Sequence, residues 1–158
     1  MSNFYKTDDR IGGYTLLDHA GNGGFGEVWR AKNDKGNVFA LKIITNIKDG
    51  NREFKSILKL QKCEHDSLIK IDDAGITDDE HRFLYYSMPL ADDIGTPGKY
   101  IPDTLRSRIK NKGKLSPETV YKIAEKIASA LGSLHKADFI HRDIKPDNII
   151  FVNGQPVL

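Results

Sequence analysis

The stretch Ile140-His141-Arg142-Asp143-Ile144-Lys145-Pro146-Asp147-Asn148 gathers a carboxylate, an ammonium and a carboxamide on one short loop. Such a trio can hold a hydroxyl proton on Asp143, a migrating phosphate on Lys145 and a metal ion on Asn148. Downstream, Ile149-Ile150-Phe151-Val152 reads as a strand and Asn153-Gly154 as a hairpin turn into Pro156-Val157-Leu158. Upstream, a long helix opens at Ser116-Pro117, a cap followed by proline at the first helical position. Val120, Ile123, Ala124, Ile127, Leu131 and Leu134 recur along it at helical spacing, giving one apolar stripe. A shorter helix is expected over 104–110.

The first half of the chain reads as strands. Tyr14-Thr15-Leu16-Leu17 leads into Gly21-Asn22-Gly23-Gly24-Phe25-Gly26, and Glu27-Val28-Trp29-Arg30-Ala31 leaves it. Asn33-Asp34-Lys35-Gly36-Asn37 is a turn signal, so Val38-Phe39-Ala40-Leu41-Lys42-Ile43-Ile44 should return antiparallel. Phe54, Ile57, Leu58 and Leu60 fit an amphipathic helix between Asn51 and Lys62. Two more strands are expected over 68–71 and 83–88. Asp92-Asp93-Ile94-Gly95-Thr96-Pro97-Gly98 is a connector, which puts the domain boundary between 1–90 and 91–158.

Gly21-x-Gly23-x-x-Gly26 alone is a weak signal, since dinucleotide-binding folds share the spacing. Those folds need a helix directly after the glycines. Here a β-branched and aromatic run and then a turn follow, which describes a β-hairpin whose bare backbone N–H groups can approach phosphate oxygens. The plain alternative is a flexible hairpin tip. Ala40 and Lys42 share a strand face. Ala40 is small enough for a flat base to lie against it, while Lys42 reaches past toward phosphates. The alternative for Lys42 is an edge residue with its ammonium in water. Glu53 begins the apolar-periodic segment and is the preferred partner to orient Lys42, with Glu64 as rival and a solvated first-turn glutamate as the simpler reading.

Bulk composition narrows the classes. With 158 residues, 39% apolar and 29% charged, the chain can bury a core and lies away from disordered sequences. A net charge of +2, with scattered basic residues, gives no case for nucleic acid or an anionic membrane. Cys63 is the single cysteine, which suits a reducing cytoplasm. No apolar run approaches the ~18 residues of a spanning helix, and the amino terminus carries no secretory pattern.

Taken together, the glycine hairpin, Lys42, Glu53 and the Asp143 loop resemble a eukaryotic-type protein kinase, of the bacterial serine/threonine kind. The resemblance runs from Ile11 to Leu158 and covers about the first three-fifths of such a domain. It implies an α+β fold: an antiparallel five-stranded small lobe with one helix, then the first part of a mainly helical large lobe. It implies ATP and Mg²⁺ as cofactors and serine or threonine hydroxyls of proteins as acceptors. Lys42 and Glu53 would form the orienting pair. Asp143 would accept the hydroxyl proton, Lys145 would neutralise the moving phosphate and Asn148 would hold Mg²⁺. Gly21, Asn22, Gly23, Gly24, Phe25, Gly26, Val28, Ala40 and Lys42 would line the nucleotide, with Met88, Pro89 and Ala91 at its adenine end. Pro89 keeps its carbonyl but lacks an N–H, so the hinge donor falls to Ala91. Asp92 or Asp93 would reach the ribose, Arg142 would meet a phosphorylated segment, and Asp147 would face solvent.

The chain also departs from that pattern. No aspartate follows Asp147, so the Asp-Phe-Gly motif and the lower large lobe are missing. Asn148 alone is one neutral ligand for a cation that prefers carboxylate and phosphate oxygens. The expectation is therefore a truncated kinase sequence whose own transfer activity is severely impaired, against the alternative of a non-catalytic nucleotide-binding or scaffolding pseudokinase-like module. The helix face from Val120 to Leu134 is expected to lie bare until a partner or a missing C-terminal part covers it. A small-molecule phosphotransferase of the antibiotic-kinase kind fits less well, for it lacks the Lys145-Pro146 element.

Overall fold

The computed structural model describes residues 4–23, 26–45, 57, 61 and 63–158. These fall into two compact units: the described residues of Met1–Leu58 with Ile71–Leu90, and those of Lys59–Lys70 with Ala91–Leu158.

The first unit is a six-stranded antiparallel sheet made of β1 (Arg10–Ile11), β2 (Tyr14–Gly23), β3 (Gly26–Asn33), β4 (Val38–Ile44), β5 (Asp73–Ile76) and β6 (Leu84–Met88), in the order β1-β2-β3-β4-β6-β5. A two-residue edge strand, β1, thus adds to the expected five. The strand expected over 68–71 forms instead at β5. Leu68 is drawn away to pack with Ala130 and Leu134 in the second unit, and Ile71 joins Ile44, Ile57 and Tyr86. Alternation along β3 and β4 divides the sheet into two faces. One buries Leu16, Trp29, Ala31, Leu41 and Ile43 with Tyr5, Ile11, Tyr14, Phe83 and Tyr85 as the main core. Most of the helix expected between Asn51 and Lys62, Glu53 included, lies outside the described residues. Ile57 is described, and it is helical and buried.

The second unit contains α1 (Leu105–Lys112), α2 (Pro117–Lys136), a 3₁₀ turn (Pro146–Asn148) and a hairpin of β7 (Ile150–Val152) with β8 (Gln155–Val157). Thr104 caps α1 through a reciprocal box with Ser107: the Ser107 N–H donates to Thr104 Oγ1 at 3.0 Å, and the Thr104 N–H to Ser107 Oγ at 2.8 Å. Ser116 caps α2 by accepting from the Thr119 N–H at 3.2 Å. Asn153 and Gly154 both take positive φ, 51° and 73°, as a two-residue turn between β7 and β8 requires.

The apolar stripe of α2 is largely satisfied within the unit. Ile123 and Ile127 pack with Ile149, Phe151 and Leu158, and Ala130 and Leu134 pack with Leu68. The expectation of a bare face from Val120 to Leu134 holds in part: the β7–β8 hairpin and residues 63–68 bury Ile123, Ile127 and Leu134, while Val120 and Ala124 stay exposed. What stays open is the flank. Val120 is 50% exposed, and with Ile109, Leu115, Ala124 and Leu131 it lines an apolar groove of about 830 Å³.

Candidate active site

In the first unit, strand register assembles one face from residues distant in sequence. Val28 lies opposite Lys42, Lys42 opposite Tyr86, and Ala40 opposite Met88. Directly paired residues point the same way, so Val28, Ala40, Lys42 and Met88 share the face turned away from the main core. The Lys42 Nζ lies 5.5 Å from the centre of the Tyr86 ring. The hairpin bearing the glycines closes at its base with Gly23 paired to Gly26. A Cβ on Gly26 would come within 1.9 Å of the Ile43 carbonyl oxygen, so the tight approach of β3 to β4 at this point demands glycine. Gly21 and Asn22 belong to β2, while Gly24 and Phe25 lie outside the described residues.

In the second unit, the loop of residues 140–148 draws its polar groups onto Asp143. Lys145 Nζ donates to Asp143 Oδ2 at 3.0 Å, and Asn148 Nδ2 donates to the same oxygen and to the Asp143 carbonyl, each at 2.8 Å. With its amide hydrogens committed to Asp143, Asn148 keeps its carbonyl oxygen for another partner. The hydrogen bond from Lys145, opposed by burial and reinforced by Asn148, holds the Asp143 carboxyl below the ordinary aspartate range. His141 Nδ1 accepts from the Asp143 N–H at 3.3 Å, and burial lowers the imidazole pKa, partly countered by the Asp143 charge. Arg142 takes a left-handed φ of 65°, which turns the chain between these two residues.

The loop's exit is rigidly anchored. Leu105 N–H donates to the Ile149 carbonyl at 2.8 Å and Phe151 N–H to the Asp103 carbonyl at 2.9 Å. Asp103, 5% exposed, takes a bidentate ion pair from Arg108, with the closest contact 2.6 Å, and the Arg108 guanidinium stacks 3.2 Å from the Phe151 ring centre. Asp147 faces solvent as expected and pairs there with Arg106 at 3.2 Å, a hydrogen bond that lowers its pKa. Asp92 is engaged by the turn of the β7–β8 hairpin. Its two carboxylate oxygens accept from the N–H groups of Asn153 and Gly154, at 2.8 and 2.7 Å. Asp93 Oδ1 accepts from Gly95 and Ile101 at 2.8 and 3.0 Å, and the Ala91 carbonyl accepts from the Tyr100 hydroxyl at 3.1 Å.

The protein kinase domain model matches residues 14–158. The chain belongs to the protein kinase domain family. This kinase chain is 30% identical over 145 residues to calcium/calmodulin-dependent protein kinase type 1 of Caenorhabditis elegans, covering 89% of the chain and 38% of that protein. It is 34% identical over 143 residues to a probable serine/threonine-protein kinase of Clostridium perfringens, covering 87% of the chain and 19% of the relative. Among solved structures, the apo form of PpkA-294 superposes with a TM-score of 0.81 at 19% identity, over 99% of this chain and 61% of that one. The kinase chain thus spans well under half the length of these curated relatives.

Reading the sequence missed Asp103, Arg108 and Arg106 as supports of the loop. Asp103 precedes the Thr104 cap and lies five residues before Arg108, outside the three- and four-residue spacings that a helix brings together, so the spacing gave no signal of the pair. Nothing local indicated that Phe151 would lie under the guanidinium.

Proposed function

We propose that this kinase domain transfers the γ-phosphoryl group of ATP to serine or threonine hydroxyls of proteins. The observation that carries the reading is the Asp143 carboxylate, half-exposed and held by both Lys145 and Asn148. A carboxylate kept ionised but open to solvent can orient a hydroxyl and take its proton as the oxygen bonds to phosphorus. The bond from the γ-phosphorus to the bridging oxygen breaks and ADP leaves. Lys145, two residues on, supplies positive charge where the transferred group gathers negative charge. In the first unit, the glycine hairpin would present backbone N–H groups to phosphates, with Lys42 beside it and Ala40 and Met88 against the base. Pro89 would offer only its carbonyl and Ala91 its N–H to the adenine edge. Glu53 is assigned to orient Lys42 by family resemblance.

Magnesium fits this donor set only as a nucleotide-borne ion. The described residues hold no cluster of His, Cys, Asp and Glu able to bind a metal alone, and Asn148 brings one neutral oxygen. When bound, the ion would neutralise phosphate charge. Because that single ligand is weak, we expect slow turnover from this chain, and the same observation favours a second reading in which nucleotide is bound without transfer. No helix among the described residues is long and apolar enough to cross a membrane.

The test pairs an isothermal titration with MgADP and a transfer assay using γ-labelled ATP and a serine/threonine-rich protein acceptor. Binding with label on serine or threonine, lost in Asp143→Asn, supports transfer. Binding without label supports the second reading. A chain that binds no nucleotide refutes both.

A further inference from the structure

The core-side face of the sheet carries an arrangement that phosphoryl transfer does not use. Glu27 follows Gly26 at the base of the glycine hairpin, yet it is only 5% exposed. Its Oε1 accepts from the Phe4 backbone N–H at 2.7 Å, and its Oε2 accepts from the Trp29 indole N–H at 2.9 Å. A carboxylate taken from water needs such donors, and losing one is costly.

The Phe4 donor reaches Glu27 from a segment docked by contacts of its own. The Tyr5 hydroxyl donates to Asp79 Oδ2 at 2.5 Å, and the Tyr5 ring is part of the main core. The Phe4 ring meets His81 and Phe83 edge-on, with centres 5.4 and 5.1 Å apart. Asp79 is itself fixed by the Thr77 hydroxyl at 2.8 Å and the His81 N–H at 3.0 Å. The anchor therefore stands on the turn between β5 and β6, whereas its load is borne at the start of β3.

That load has a geometric consequence. Glu27 and Trp29 lie on the core side of β3, and Val28 between them lies on the opposite face, paired with Lys42. Fixing two alternate residues fixes the rotation of the strand about its own axis, and with it the direction of the residue between. Gly26, pressed against the Ile43 carbonyl, leaves no slack just before them.

We propose that Glu27 is a positioning residue for the glycine hairpin and that Phe4 and Tyr5 form the strap that holds it, so that strap docking and nucleotide binding are thermodynamically linked. The linkage rests on the reading of the hairpin as a phosphate cradle. Linkage is reciprocal: a strap that favours the binding-competent hairpin must itself be tightened by nucleotide.

Two variants isolate the Phe4 hydrogen bond. Phe4→Ala removes the ring and keeps the N–H, whereas Phe4→Pro removes both. We expect Phe4→Pro to weaken MgADP binding about fivefold or more relative to Phe4→Ala, at the lower end of coupling between sites. Trp29, the sole tryptophan, should report the disturbed Glu27 contact as a shifted emission spectrum. In the unmodified chain, saturating MgADP should slow hydrogen exchange at the Phe4 amide by a similar factor, a readout that a purely structural latch would not move. Equal affinities in the two variants, or Phe4 exchange indifferent to MgADP in a chain that binds it, would overturn the strap alone. Failure of the unmodified chain to bind MgADP would overturn the phosphate-cradle reading and the linkage together.

Discussion

At the scale of single residues, the loop around Asp143 is an electrostatic device with separable parts. Lys145 contributes the largest downward pull on the Asp143 carboxyl and Asn148 a smaller one. Lys145→Met should therefore raise the Asp143 pKa toward the ordinary value of about 3.9, and Asn148→Ala should raise it less. Carboxyl NMR titration of the two variants would show the order, and a reversed order would contradict the assignment. A depressed carboxyl contributes stability above the ordinary carboxylate range and loses it as pH falls through the folded-state value. With the Asp143 side chain half-exposed, that contribution is small. His141 offers a second handle. Its folded-state pKa is lowered by burial, so the unfolded chain takes up the proton first. Stability present above about pH 6.5 is then lost as pH falls below it, with a slope under about 1.4 kcal/mol per pH unit, the limit for one proton. His141→Asn keeps an acceptor for the Asp143 N–H and removes the titration. Its melting temperature should vary less between about pH 6.5 and 5 than that of the unmodified chain.

At the scale of elements, the strand leaving the Asp143 loop is anchored by the short bridge among Asp103, Arg108 and Phe151. The Asp103 side chain is 7% exposed and that of Arg108 24%. Removing the acid alone leaves a guanidinium without its partner over an aromatic ring, so Asp103→Ala should cost about 3 kcal/mol or more in chemical denaturation. Asp103→Asn, which keeps an acceptor, should cost less. How legible these elements were depended on how local their causes are. The Ser116-Pro117 cap, the Asn153-Gly154 turn and the returning Val38–Ile44 strand are written in neighbouring residues and formed where the pattern put them. The Ala40, Lys42 and Met88 row was half legible: period two placed Ala40 and Lys42 together, but only antiparallel register brought Met88 to them. Leu68 was misread because its apolar neighbours fit a strand, while the burial that fixed its place came from Ala130 and Leu134, far along the chain. The partners of Asp92 were illegible for a related reason, since Asn153 and Gly154 are contributed by the β7–β8 turn.

At the scale of the whole molecule, each unit closes a core of its own, and among the described residues one contiguous apolar groove is left beside α2. The groove beside α2 remains open because the hairpin and residues 63–68 cover one flank of the stripe, and the Val120 flank faces outward. Contiguous apolar surface of this kind promotes association in water, and a net charge of only +2 gives little long-range repulsion to oppose it. Val120→Lys places a charge at the rim without opening any packed contact. It should shift the onset of self-association, followed by light scattering, to severalfold higher concentration while changing folding stability by less than about 0.5 kcal/mol. Ile123→Lys, only three residues away but 8% exposed, would bury an unpaired ammonium against Ile149 and Phe151 and should cost about 3 kcal/mol or more. The contrast between these two neighbours is the test. If both lysines destabilise alike, the Val120 flank is packed and the groove is not open. If neither changes association, the surface that drives it lies elsewhere on the chain.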